Sequence, residues 1–138
     1  MAVGDTNAIV NKYLVTPATP LFTLVGTRIY CPRLPENAVL PAIGFFTRGG
    51  TSTPYIPGYV SPSIQFDCWA IGPIVARQVY RALYDRLQGI QDVAVVIGGI
   101  TYAILAAAEE VQGQDLADQD IPNYYRVLTS FAFVIRAE

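Results

Sequence analysis

The stretch from Leu40 to Gln88 constrains the fold of this chain more than any other part. Leu40-Pro-Ala-Ile-Gly-Phe-Phe-Thr is a short apolar run that reads as a strand over Pro41–Thr47. Arg48 to Gly58 follows, with two prolines and three glycines. Tyr59 to Ala70 then alternates. Ile64, Phe66, Cys68 and Ala70 share one face of a long strand, and Ser63, Gln65, Asp67 and Trp69 share the other. Gly72-Pro73 opens a helix that runs to Gln88, with Gly89 as its C-cap. Val75, Val79, Leu83 and Leu87 recur at four-residue steps and form its expected core stripe. Tyr80 and Tyr84 flank that stripe, a position that suits the edge of a core better than a binding surface. Arg77, Arg81 and Asp85 lie on the other side, and Arg81 reaches Asp85 one turn on. Two antiparallel strands joined by a long loop and followed by a helix make a scaffold that presents the loop. Loops of that length in compact domains are usually functional or disordered.

The flanking segments read as further small elements. Thr6 to Val15 places Ile9, Val10, Tyr13 and Leu14 at helical spacing, and Pro17 ends the run. Thr19-Pro20 is an N-cap and first-turn pair, so Leu21 to Val25 reads as a second short helix closed by Gly26. Thr27 to Cys31 is β-prone, and Pro32, Pro35 and Asn37 mark a surface connection. Val93–Ile97 and Ile100–Ala108 flank Gly98-Gly99, a hairpin signal. Gln112 to Asn123 is a polar, acidic connection. Tyr124 to Arg136 is a terminal strand with Tyr125, Val127, Phe131, Phe133 and Ile135 alternating onto one face. The expected fold class is α+β in one domain spanning 1–138. It is a single antiparallel, or mixed, sheet of about four to five strands with one main helix and an N-terminal helical segment on one face.

Composition points to a covered surface. Charged residues are 14% of the 138-residue chain, against about 25% in ordinary domains, and the hydrophobic fraction is 52%. A domain this size folds without staples, yet one small core does not easily hide that much apolar surface. The excess fits patches covered by a partner, and a sparsely charged monomer is the blander reading. The net charge is −2 and Lys12 is the only lysine, which excludes the clustered cations of a duplex-binding protein. The N-terminus Met-Ala-Val-Gly-Asp has no basic or apolar signal region, so no secretory signal is expected. Val93–Ala108 is the longest uncharged apolar run. It is too short to span a bilayer comfortably and is split by two glycines, so no membrane partner is expected. Cys31 and Cys68 give no disulfide framework and read as reduced thiols.

Catalytic machinery is hard to assemble from these residues. The chain has no histidine, which removes the commonest general base and any Ser-His or Cys-His pair. Two cysteines alone do not make a structural zinc site. The glycine pairs at Gly49 and Gly98 lack the Lys-Ser/Thr of a phosphate loop. Asp67-Cys68-Trp69 offers a thiol beside a carboxylate, but neighbours on a strand face opposite ways, which favours a buried small hydrophobe. Five of eleven acidic residues fall between Glu109 and Asp120. Three readings stand for them: a divalent-cation loop, a carboxylate surface that repels DNA, and a plain solvated loop, the last favoured. The spacing does not fit an EF-hand. Trp69, on a polar face, is an interface candidate or is covered by the N-terminal segment. No enzyme activity and no cofactor are expected.

Several pieces line up in one order: Leu24-Val-Gly-Thr-Arg-Ile-Tyr, Leu40-Pro-Ala-Ile, Ser63-Ile-Gln-Phe-Asp-Cys-Trp-Ala, the Ala/Arg/Tyr/Leu helix, and Tyr124-Tyr-Arg-Val-Leu-Thr-Ser-Phe-Ala-Phe-Val-Ile. In order and spacing, from about Leu21 onward, the chain resembles the tail-completion, or tail-terminator, family of long-tailed phages and related prophages. The resemblance implies a small α/β fold with an antiparallel sheet and helices on one face. It also implies a ring of subunits, often a hexamer, at the head-proximal end of the tail tube. Such a protein is made in the host cytoplasm and resides in the tail-neck region of the virion. Its partners would be further copies of itself, the major tail tube protein and a head-completion or connector protein. Genomic DNA would pass through the lumen without specific binding. The family supplies no catalytic residues to carry over. The proline-rich Arg48–Gly58 loop and the compact acidic stretch depart from its pattern. The interface candidates therefore come from the presented segments themselves. They are Arg48, Thr51, Tyr55, Ile56 and Tyr59 around the first loop, Trp69 on the strand face, and Gln114, Asp115, Asp118 and Asp120 in the acidic connection. Two rival readings remain. One is a head-side connector or stopper. The other is a small-ligand-binding or enzymatic α+β homo-oligomer with a pocket near Asp67, Arg77 or Tyr80.

Overall fold

Local signals start each helix where the sequence places them. The computed structural model describes residues 5–17, 19–31, 35, 39–52, 59–117 and 124–136. Helix α1 spans Thr6–Leu14, capped by the Asp5 side chain, which accepts from the Asn7 N–H. Helix α2 spans Pro20–Val25. The Thr19 hydroxyl accepts from the Phe22 N–H, and Gly26 follows at φ 59°. Strand β1 is only Ile29–Tyr30, and strand β2 runs Ala42–Ser52. Strand β3, Tyr59–Ala70, has the bounds that its alternation implies. Helix α3 is Pro73–Leu87. Strands β4 (Gln91–Ile97), β5 (Ile100–Ala117) and β6 (Tyr125–Arg136) complete the described elements.

The strands form one six-stranded sheet in the order β1-β2-β3-β6-β5-β4. Every pairing is antiparallel except β1 on β2, which is parallel. The sheet curls into a half-barrel, and α1 touches both of its terminal strands, β1 and β4. The Asn11 amide also donates to the Ile29 carbonyl at 3.1 Å. Helix α3 lies across β3, β6 and β5, and α2 rests on α3.

The core fills the inner face of the curl. Phe66 sits at its centre, with ring centroids 5.7 Å from Phe45, 5.9 Å from Phe131 and 6.3 Å from Phe133. Ile9, Val10 and Leu14 of α1 and Val79, Leu83 and Leu87 of α3 close over these rings, all fully buried.

The expected sheet of four to five strands with one main helix is overturned: there are six strands and three helices among the described residues. Two residues of β1 suffice to add a parallel edge strand, and α1 and α2 are separate helices. The two expected loops are also shorter. Strand β2 continues through Arg48 to Ser52, with a register shift between Thr47 and Gly50. Strand β5 continues through the acidic stretch to Ala117, with shifts at Ile104/Ala106, Glu109/Val111 and Val111/Gln114. Each shift moves the side chains off a strict period of two, which hides the strand in the sequence. On α3 the core stripe is Ala76, Val79, Tyr80, Leu83 and Leu87, and Val75 faces outward.

Candidate assembly surface

The outer face of the sheet carries the polar half of each alternating strand. Strand register sets Trp69 opposite Arg126, Asp67 opposite Leu128 and Gln65 opposite Ser130. The Arg126 guanidinium lies 5.3 Å from the Trp69 ring centroid and 3.7 Å from Asp67 Oδ2. Tyr124 meets Trp69 edge-on at 6.1 Å. Burial pushes the Asp67 carboxyl above its ordinary value, against the opposing pull of Arg126 and Gln65. Among the described residues, Asp67 Oδ1 and Ser130 Oγ are buried without a hydrogen-bond partner. Cys68 faces the other way and is fully buried. Burial, then the Asp67 charge, push its thiol far up. The thiol and the carboxylate therefore lie on opposite faces of one strand, as their adjacency requires.

A second group on this face links three strands across a fourth. Arg48 Nε donates to Ser63 Oγ at 3.2 Å, and Ser63 Oγ donates to Glu110 Oε1 at 2.5 Å. Ala132 of β6 stands between β3 and β5, opposite Ser63 and Ala108. Its small side chain leaves room for the Glu110 carboxylate to reach across.

On the helix side, α3 is tied to β5 where β5 is bulged. The Tyr80 hydroxyl donates to Glu109 Oε2 at 2.6 Å and accepts from the Gly113 N–H at 3.2 Å. Thr129 Oγ1 lies 2.9 Å from the same carboxylate oxygen and 2.7 Å from the Val111 carbonyl. The Gln88 side-chain carbonyl accepts from the Glu109 N–H at 2.7 Å. Burial and the bond to Glu109 raise the Tyr80 phenol above its usual value. Arg77 covers the Tyr80 ring at 4.9 Å and donates to the Gly113 carbonyl and to Asp115. Arg81 and Asp85 pair one turn apart at 3.4 Å, as their spacing implies.

The sequence candidates fall at separate places. Thr51 and Tyr59 lie at the end of the sheet where Tyr59 pairs with Arg136. Trp69, Gln114 and Asp115 lie toward the other end, where Ala70 and Ala117 both pair with Tyr125. Arg48 sits between the two groups. Tyr55, Ile56, Asp118 and Asp120 lie outside the described residues. The sequence reading missed the exposed apolar side chains: Ile71 and Ile74 at 64% and 74% exposure, and Val96 and Ile100 at 52% and 54%. The signal for Ile74 was Ala76. A small residue in phase with Tyr80 and Leu83 rotates the buried stripe away from Ile74 and Val75.

Two surface hollows among the described residues gather polar side chains without a nucleophile–base pair. One of about 530 Å³ is lined by Asp5, Asn7, Asn11, Lys12, Cys31 and Ile97. Another, about 400 Å³, is lined by Ile74, Arg77, Arg81 and Asp115. Asp67 and Tyr80, on opposite sides of the sheet, line neither. Among the described residues, no group of three His, Cys, Asp or Glu side chains could hold a metal ion, and no helix is long and apolar enough to cross a membrane.

No protein-family model matches the chain, and no curated protein sequence matches it. Among solved structures, a chain from the virion of a native gene transfer agent (GTA) particle is similar, with a TM-score of 0.69 at 17% identity. The match covers 94% of this chain and 93% of that one, so the two share a fold along nearly their whole length.

Proposed function

We propose that this chain is a structural protein of a phage-like virion, and within it the ring-forming terminator that caps the tail tube and joins it to the head connector. One observation carries the reading: a fold shared over 94% of the chain with a component of a gene transfer agent virion. The ordered motifs from Leu24 to Ile135 that resemble the tail-completion family support the finer placement. In this role the protein performs no chemistry. It stacks as a ring between the tube below and the connector above, and DNA slides through its lumen. A negative lumen wall repels phosphate, and the acidic residues Asp118 and Asp120 suit that wall. Purified protein added to growing tail tubes is expected to bind their ends and stop growth. Tubes that keep growing with no protein bound overturn the terminator role. Density for the chain on the head side of the neck in intact particles replaces it with a connector or stopper.

A further inference from the structure

Four of the strongly exposed apolar side chains, Ile71, Ile74, Val96 and Ile100, form two unlike patches at opposite ends of the sheet. At one end, β3 turns into α3. There Ile71 and Ile74 stand exposed close to the Trp69–Tyr124 pair and the groove lined by Arg77, Arg81 and Asp115. At the other end, the β4–β5 hairpin overhangs its neighbour. Ala103 is already opposite Arg136 near the end of β6, so Ile100 to Tyr102 and their partners Val95 to Ile97 project beyond it. The overhang exposes Val96 and Ile100 around a Gly98–Gly99 turn. Both glycines have positive φ, 58° and 80°, the tight turn that keeps the projecting ribbon narrow. Twelve residues of β3 separate the two ends, roughly 35 Å at the rise of a strand.

We propose that these two ends bind each other between copies of this chain: the β4–β5 hairpin of one copy seats on the Ile71/Ile74 patch and groove of the next. The contacts are those of the ring proposed above, and the inference rests on that reading. Two arguments select a second copy as the occupant. A two-fold dimer uses the same patch twice, whereas two different patches at opposite ends suit a head-to-tail contact that repeats and closes. The charges also match. Arg136, exposed beside the hairpin, makes no ion pair among the described residues. The receiving end offers the Asp115 carboxylate, whose side chain is 70% exposed and which Arg77 approaches at one oxygen only, at 3.4 Å.

The test uses the full chain and two variants, Ile74→Glu at the receiving end and Ile100→Glu on the hairpin, followed by sedimentation and by the fluorescence of Trp69, the chain's only tryptophan. The unaltered chain is expected to self-associate with a shift in Trp69 emission, and each variant alone to remain monomeric. Mixed together, the variants are expected to form a one-to-one complex, because each keeps the surface the other has lost. That recovery also shows that both variants are folded. The proposal is overturned by variants that assemble like the unaltered chain, by a mixture that stays monomeric, or by an unaltered chain that stays monomeric up to about 1 mM. A chain that caps tail tubes but fails here keeps its role and loses these contact surfaces.

Discussion

Gly113 lies directly under the ring of Tyr80: a Cβ at position 113 would stand 2.7 Å from Tyr80 Cζ. The absent side chain lets α3 close down onto the bulged part of β5, where the Tyr80 hydroxyl joins Glu109 and the Gly113 backbone. Gly113→Ala is therefore expected to destabilise the fold by about 1–3 kcal/mol, the usual cost of forcing a side chain into filled space. Tyr80→Phe keeps the ring and loses the hydroxyl bonds, at a cost of about 0.5–1.5 kcal/mol. Urea unfolding of both variants checks the order. A Gly113→Ala protein as stable as the parent would show that the ring moves aside freely.

Phe66 touches Phe45, Phe131 and Phe133 from the middle of the sheet. Its replacement by alanine opens a cavity walled by rings that cannot all collapse inward. The expected loss is about 3–5 kcal/mol, a large share of the roughly 5–15 kcal/mol that holds a domain together. The measurement is a lower denaturation midpoint at unchanged slope.

Asp67 gives a pH dependence of unusual sign. Burial holds its folded carboxyl above the unfolded value, so the unfolded chain releases this proton first as the pH rises. The contribution of Asp67 is thus fully favourable below about pH 4 and is lost as the pH climbs through the folded value. Asp67→Asn is expected to raise the melting temperature at pH 7, with the gain shrinking to nothing in acid. A lower melting temperature at pH 7 would mean that the Arg126 pairing outweighs the burial.

The two thiols should react very differently. Cys31 is exposed and Cys68 is fully buried, and both are free. A soluble disulfide reagent is expected to label Cys31 in the native protein. Cys68 should react only through opening of the core, slower by a factor on the order of 10³ or more. Equal labelling of both would contradict the full burial of Cys68 in the core.

Much of this architecture was legible because single residues announce it. Thr19-Pro20 starts α2, Gly98-Gly99 turns the hairpin, and the alternation from Ile64 to Ala70 gives β3 its faces. What stayed hidden has physical causes. The β5 extension reads as an acidic loop because its register slips at Glu109/Val111 and Val111/Gln114, which breaks the period of two among its polar side chains. Thr27–Cys31 reads as β-prone and holds β1, but two residues carry no signal of the parallel pairing that adds them to the sheet. Val75 looked like core because it fits a four-residue step from Val79, but the helix turns its Ala76 face inward instead. The apolar patches at Ile71/Ile74 and Val96/Ile100 depend on where the sheet ends. That boundary comes from strand pairing across the whole chain, which no local window contains.

Helix α1 touches both terminal strands of the curled sheet, and one of them, β4, follows it by roughly 80 residues of chain. During synthesis α1 emerges long before its second neighbour exists. Its apolar side, Ile9, Val10, Tyr13 and Leu14, then has only part of its seat to occupy. A chain halted before β4 would carry that greasy stripe only partly covered into the cell.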